Sequence, residues 1–290
     1  MAKNVFKSKI VVDTENASTL LVSNSNKEIT SSSVTTTEAG YLSGVTSAIQ
    51  AQLDGKLMAS NNLNDVANPL DCRGALLTKD ISIIAEVKRS SPSKGELAKI
   101  EDPVKLAKEY EKAGAAVVSV LTEERRFKGS ISDFKKIREQ LKIPMLRKDF
   151  IVDEYQVIES RVIGADLMLL IVAALSKSQL RDYYQIASEL SMDVLFEVHS
   201  IEELEWAMAI GPKIVGVNCR NLKTLEVDPG VFSQIIPKIP NEIIKIAESG
   251  ISNRAEVADL ETLGVNGILV GETLVRSSNP GAAIAELIGR

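Results

Sequence analysis

From Ile81 to the end of the chain, short β-branched runs alternate with longer amphipathic segments. That alternation restricts the fold more than any other feature of the sequence. The runs are "ISIIAEV", "AAVVSVL", "IPMLRKD", "DLMLLIV", "DVLFEVH", "KIVGVN", "IIKIAES" and "NGILVG", eight in all. Between them stand "DPVKLAKEYEKAG", "SDFKKIREQL", "DEYQVIESRVIG", "SKSQLRDYYQIASEL", "SIEELEWAMAIG", "DPGVFSQIIPKI" and "NRAEVADLETLG", and "NPGAAIAELIG" closes the chain. Several of these end in Gly, a common helix stop. Strands separated by helices imply right-handed crossovers and parallel pairing. Eight such units in about 210 residues are the pattern of a (β/α)8 barrel. A doubly wound open sheet generally has fewer strands and a Gly-rich nucleotide turn after the first, and that turn is absent here. The expected class is α/β: a TIM barrel over residues 69–290, preceded by a non-barrel extension over residues 1–68.

In such a barrel, functional groups gather at the C-terminal ends of the strands. Here the apolar runs repeatedly end in polar side chains. The first delivers Glu86 and Lys88, two apart and so on one face. The third ends in Arg147, Lys148 and Asp149, and the fifth carries Glu197 and His199. The sixth ends in Asn218 and Arg220, and the seventh in Glu248 and Ser249. A single such group is most simply a satisfied ion pair. Five strand ends of this kind point to a reaction site, because buried charges must pair with one another or with a ligand.

The ligand is expected to carry phosphate. "AESGIS" and "LVGETL" follow strands seven and eight, where barrels of this kind bind phosphate. Gly250 and Gly271 let backbone N–H groups approach the oxygens, and helix starts add a favourable dipole. "SSPSKG" after the first strand adds hydroxyls and Lys94, as a loop with Gly95 as its hinge.

The bulk numbers exclude several classes. His199 is the only histidine, which removes Ser–His–Asp triads and multi-His metal sites, and leaves acid–base chemistry to Lys, Glu and Asp. A net charge of −5 argues against nucleic acid as the main partner. Cys72 and Cys219 are too few for a disulfide framework, so a reducing cytoplasm is the expected compartment. No apolar stretch has membrane-spanning length, and "MAKNVFKSKIVVD" lacks a signal-peptide core.

The first 68 residues differ in composition, being rich in Ser, Thr and Asn. "KIVVD" and "STLLVS" read as a strand pair. A capping box, Thr35-x-x-Glu38, opens an expected helix with an apolar stripe at Leu42, Val45, Ile49 and Leu53. That stripe could pack on the rest of the chain or mediate self-association.

The strand-end motifs "IIAEVKRSSPSKG", "VLTEERRFKGS", "PMLRKDFIVDEYQV", "LFEVHSIEEL", "GVNCRNLKTLEVD", "IAESGIS" and "ILVGETLVR" resemble, in order and spacing, those of indole-3-glycerol phosphate synthases. The resemblance covers about residues 69–290. It implies closure of the indole ring of 1-(2-carboxyphenylamino)-1-deoxyribulose 5-phosphate in tryptophan biosynthesis, with loss of carbon dioxide and water and with neither cofactor nor metal. It implies that Lys148 is the general acid that protonates the substrate ketone. Lys88 would be the second catalytic lysine, tied to the substrate carboxylate, and Glu197 the base or charge stabiliser in dehydration. Glu86 and Asn218 would line the site, and Arg220 would lie near the substrate carboxylate or the loop. Glu248 would share the floor, and Ser91, Ser249, Gly250, Gly271 and Glu272 would form the phosphate and substrate cradle. Many relatives carry Ser at the position of Glu272, whose carboxylate would repel phosphate, so only its backbone N–H is expected to serve. Lys88 and Lys148 are expected to depress each other's pKa, with the three glutamates limiting the drop.

The family also has helices ahead of the first strand, and of that lead-in only "LDCRGALL" is evident. In their place "TTTEAGYLSGVTSAIQAQLDGK" and "NNLNDVAN" resemble phage tail-fibre and other virion structural repeats, which implies a fusion. Two rival readings remain: a display protein carrying the barrel as a passenger, and another barrel of the same pathway, such as phosphoribosylanthranilate isomerase. The intact set of matched positions argues against the first. Paired Lys88 and Lys148 with Glu197 argue against the second, since that isomerisation is usually run by a Cys–Asp pair.

Overall fold

In a computed structural model, residues 21–23, 29–31, 63, 66–78 and 80–290 are described. The chain divides into two compact units, Met1–Met58 and Ala59–Arg290. In the first, Leu21–Ser23 pairs antiparallel with Ile29–Ser31, Val22 standing opposite Thr30. The former strand falls within "STLLVS". "KIVVD", the Thr35–Glu38 capping box, the apolar stripe from Leu42 to Leu53 and the tail-fibre-like "TTTEAGYLSGVTSAIQAQLDGK" lie outside the described residues.

The second unit is a closed barrel of eight parallel strands. They are β1 Ser82–Val87, β2 Val117–Leu121, β3 Met145–Lys148, β4 Leu167–Ile171, β5 Asp193–Val198, β6 Ile214–Asn218, β7 Ile244–Glu248 and β8 Gly267–Val270. Each falls within one of the β-branched runs read from the sequence. β8 closes on β1, with Leu269 paired to Ile84. The helices are α1 Pro103–Lys112, α2 Ile131–Arg138, α3 Glu154–Val162, α4 Lys177–Glu189, α5 Ile201–Met208, α6 Gly230–Ile235, α7 Arg254–Thr262, α8 Glu272–Arg276 and α9 Pro280–Leu287. Local chemistry sets their starts. Asp102 accepts the Lys105 N–H ahead of Pro103, and Ser176 with Gln179 forms a capping box on α4. The short α8 immediately after β8 was not anticipated as a separate element.

Two apolar layers follow from the period of two along each strand. Outward residues such as Val118, Met168, Phe196 and Val217 pack with Phe134, Val157 and Leu204 of the helices. Inward residues Ile84, Leu146, Leu169, Leu195, Ile214 and Ile246 fill the barrel. The lead-in helix Cys72–Leu76 places Cys72 and Leu76 in that inner cluster, so it plugs one end of the barrel. Asp166 holds the plug in place: it accepts the N–H groups of Leu70 at 2.7 Å and Met145 at 2.8 Å, and pairs with Arg138 at 2.6 Å. Arg161 adds donations to the carbonyls of Val66 and Ala67. With one end filled, the cavity opens at the other, where the strands end.

Candidate active site

The same parity that puts Ile84, Leu146, Leu195, Ile214 and Ile246 inside carries Glu86, Lys88, Lys148, Glu197, Asn218 and Glu248 inward one or two steps further along. These groups line a cavity of about 800 Å³ at the C-terminal ends of the strands. Ser91, Arg220, Ser249, Gly250, Gly271 and Glu272 line it as well, so the twelve residues to which the family resemblance gives a role all face one space. Arg147 does not. Out of phase with Lys148, it points into the helical layer, where it pairs with Glu159 at 2.8 Å and Asp149 at 3.3 Å and donates to Ser160 Oγ at 3.1 Å. It fastens α3 to β3 rather than serving the cavity.

Three carboxylates, Glu86, Glu197 and Glu248, sit at the floor with at most 2% of their surface exposed. Lys88 pairs with Glu86 at 2.6 Å. Lys148 donates to Glu197 Oε2 at 2.9 Å and lies 3.8 Å from Glu248 Oε2. Burial alone would lower the pKa of Lys148, but Glu197, Glu248 and Glu86 together raise it well above the ordinary lysine value. This corrects the expectation that a second cation depresses it: the facing carboxylates outweigh burial. Glu197 moves the other way. Burial pushes its pKa up, but Lys148 and His199 hold it far below the carboxylate range, so it is ionised. Glu248 is raised to about 8 by burial and by the charge of Glu197, against the pull of Lys148. Two glutamates at one floor are thereby driven apart in pKa, Glu197 downward and Glu248 upward. Among the described residues, Glu248 Oε1 has no hydrogen-bond partner.

Two glycines make room for this arrangement. A Cβ on Gly216 would stand 2.0 Å from Glu248 Oε1, and one on Gly271 would stand 2.4 Å from Glu86 Oε1 and 3.1 Å from Lys88 Nζ. Gly271 therefore accommodates the Glu86–Lys88 pair, beyond the phosphate role read from the sequence.

The rim comes from loops. Ser249 and Gly250 both take left-handed backbone, with φ of 72° and 69°. For Ser249 that costs on the order of 1 kcal/mol, strain of the kind held at ligand sites. Buried Cys219 donates to the Ser249 carbonyl at 3.3 Å, and burial raises its thiol pKa to about 11, so it acts as a structural clip. The "SSPSKG" segment is not a plain loop: Ser90–Ser91 pairs antiparallel with Gly95–Glu96. Arg220 Nη1 reaches this hairpin at Ser93 Oγ, 3.3 Å away, and also donates to the Leu225 carbonyl at 3.0 Å. Lys94 spans to Glu272 at 2.7 Å, and Arg276 meets the same carboxylate oxygen at 3.3 Å. Glu272 thus carries two cations at the rim, which a bare backbone role for this residue left out.

Sequence reasoning missed the apolar wall. Phe127 and Phe150 line the cavity with ring centroids 6.3 Å apart and tilted by 43°. A usable signal was present: aromatics make up 4% of the chain, yet these two fall in the loops after β2 and β3, close to the polar strand ends.

Fold and cavity together define a (β/α)8 barrel whose strand ends carry paired buried charges, with an aromatic wall beside them. The fold is shared with solved structures of low identity. These include 3-hexulose-6-phosphate synthase from Salmonella typhimurium, with TM-score 0.59 and 13% identity, covering 72% of this chain and 97% of that one. A structure of the tryptophan synthase α2β2 complex of Pyrococcus furiosus aligns with TM-score 0.56 and 15% identity, covering 74% and 100%. Sequence comparison is far more specific. The family model for indole-3-glycerol phosphate synthase matches residues 42–287. Synthases of that name from Mycolicibacterium gilvum and Rhodococcus opacus are 51% and 52% identical, each over 76% of this chain and 81% of their own length. The chain belongs to the indole-3-glycerol phosphate synthase family.

Proposed function

We propose that the barrel closes the indole ring of 1-(2-carboxyphenylamino)-1-deoxyribulose 5-phosphate, releasing carbon dioxide and water, in tryptophan biosynthesis. Family membership supports the reaction. The observation that carries the assignment of roles is the Lys148 ammonium held 2.9 Å from Glu197 and 3.8 Å from Glu248 at the buried floor.

The substrate phosphate takes the rim at Ser249, Gly250 and Gly271, with the Ser91 hydroxyl from the hairpin. Its aromatic ring lies against Phe127 and Phe150. The carboxylate is drawn to Lys88 and Arg220. Holding a flexible substrate at both ends brings the ring carbon bearing the carboxylate onto the ketone carbon. As that bond forms, Lys148 gives a proton to the ketone oxygen. A raised lysine pKa does not prevent this, since the alkoxide generated there is more basic still, and it guarantees that the proton is present. Loss of carbon dioxide then returns its electron pair to the ring. In dehydration, water leaves the former ketone carbon with a proton from the acid side of the site, and Glu197 takes the proton released by the substrate. Glu248 keeps the count of negative charge at the floor down to what Lys88 and Lys148 can balance. Asn218, whose Oδ1 accepts the Arg220 N–H at 3.0 Å, fixes the start of the loop that carries Arg220.

The barrel works in the cytoplasm on a small phosphorylated substrate, without nucleic acid or membrane as partner; no described helix is long and apolar enough to cross a membrane. The family match begins at residue 42, within the extension expected over residues 1–68, and so takes in the stripe from Leu42 to Leu53 that would mediate self-association. The test is product formation by the full chain. Indole fluorescence and released carbon dioxide should rise in equal amounts from the carboxyphenylamino substrate, with inorganic phosphate as a competitive inhibitor. Absence of both signals from a folded chain would overturn the reading and favour a passenger barrel.

A further inference from the structure

Glu197 is held by two cations, and the reaction above uses only one. Lys148 takes Oε2 at 2.9 Å, while Oε1 faces Nε2 of His199 at 3.3 Å, an ionic contact rather than an aligned hydrogen bond. His199 lies two residues further along the chain from Glu197 and outside the cavity lining. Its Nδ1 meets Glu203 Oε2 at 3.1 Å, and the same oxygen accepts the backbone N–H of His199 at 2.7 Å. Glu203 belongs to the first turn of α5, where the helix dipole favours its charge. The His199 and Glu203 side chains are only 12% and 19% exposed.

A neutral imidazole has one N–H and one lone pair. Here both ring nitrogens face carboxylate oxygens, so a neutral ring would set its lone pair against one of them. Only the doubly protonated ring suits both contacts. The titratable groups that face it are Glu197 on β5 and Glu203 on α5; Lys148 and Glu248 act on it through Glu197. The segment Val172–Ala174, packed against the ends of β5 and α5, brings only apolar side chains. Burial pulls the pKa of His199 down, but the two carboxylates raise it to about 9.

We propose that His199 is a protonated positioning residue that clamps the idle oxygen of Glu197, so that Glu203, His199 and Glu197 form one ionic chain from α5 to the reacting groups. The inference rests on the reading of Glu197 as the base. Its physical purpose follows from the catalytic cycle. Once Lys148 has given up its proton, Glu197 faces a neutral amine, and beside Glu248 and Glu86 it would become protonated itself. A second, permanent cation on the far oxygen keeps Glu197 ionised and aimed until dehydration.

The chain contains one histidine, so untagged protein yields a single set of imidazole resonances. Nitrogen-edited NMR should find both ring nitrogens protonated at pH 7.5, with a midpoint near 9. Glu203→Gln preserves the acceptor for the backbone N–H but removes a charge, and should lower that midpoint by about one unit. His199→Gln should lower kcat about tenfold or more while KM stays within about twofold, and should remove the alkaline fall in kcat that the titration of His199 predicts for the parent. A midpoint at or below the ordinary histidine value, or a His199→Gln variant with the parent's kcat and pH profile, would overturn the inference. Normal turnover in Glu197→Gln would instead remove the base assignment, and the inference with it. An inactive Glu197→Gln beside a normal His199→Gln would sink the inference alone.

Discussion

At the scale of single residues, the site works by setting like groups apart. Glu197 and Glu248 have the same chemistry, yet burial raises the pKa of Glu248 while Lys148 and His199 together hold that of Glu197 down. This has a consequence for stability. A carboxyl whose folded pKa exceeds its unfolded value favours the folded state relatively less as pH rises, the loss running from about 4.5 to about 8 for Glu248. Glu248→Gln should therefore stabilise the fold by on the order of 2 kcal/mol at pH 9 and by little below pH 4.5, while lowering turnover. Denaturant melts at the two pH values check the first part; equal effects at both would contradict it. His199 changes stability in the same direction: its raised pKa adds stability in full below about 6.5, lost as pH climbs through about 9. Much of this floor was legible from spacing, since Glu86 and Lys88 two apart must share a face. The direction of the Lys148 shift was not, because its partners Glu197 and Glu248 arrive from other strands, the nearer of them 49 residues away in sequence. Arg147, adjacent to Lys148, could be excluded from the cavity only once the inward parity of β3 was known.

At the scale of elements, each strand and, α8 apart, the helices between and after them could be read before folding, because the change from period two to period 3.6 is local. The pieces joined by distant contacts could not. The lead-in helix Cys72–Leu76 has few residues, but it fills the end of the barrel. Leu76→Ala should cost about 2–5 kcal/mol, the range for a buried Leu whose site collapses incompletely. A chemical melt checks this, and a loss under about 1 kcal/mol would show that the plug contributes little. The Ser90–Glu96 hairpin read as a loop because its second strand is two residues long and its anchors, Arg220 and Glu272, lie far along the chain. The Lys94–Glu272 pair is 51% and 28% exposed, so its contribution to stability is under about 1 kcal/mol. Its effect on substrate is more direct. Glu272→Ser should free Lys94 and Arg276 for the phosphate and lower KM about two- to fivefold with kcat nearly unchanged. A raised KM would mean that Glu272 orders the rim instead of competing at it.

At the scale of the whole molecule, closure of the barrel turns eight separate strand ends into one chemical environment. No pair of neighbouring strands holds the floor: Lys148 comes from β3, Glu197 from β5, Glu248 from β7 and the Glu86–Lys88 pair from β1. Those are alternate strands, as the layered interior of such a barrel requires. Their inward residues below the floor are apolar, so the charges are insulated from solvent on one side and open to substrate on the other. That placement explains why the polar groups at the strand ends were legible from spacing, although their roles came only with the family resemblance, whereas the aromatic wall of Phe127 and Phe150, carried on loops, was not legible. The most direct test of the account is single-turnover indole formation by the full chain compared with Lys148→Ala at saturating substrate. The account predicts a loss of about 10²–10⁴-fold in the chemical rate with binding retained. A Lys148→Ala chain that turns over within about tenfold of the parent would contradict the central role assigned to the lysine between Glu197 and Glu248.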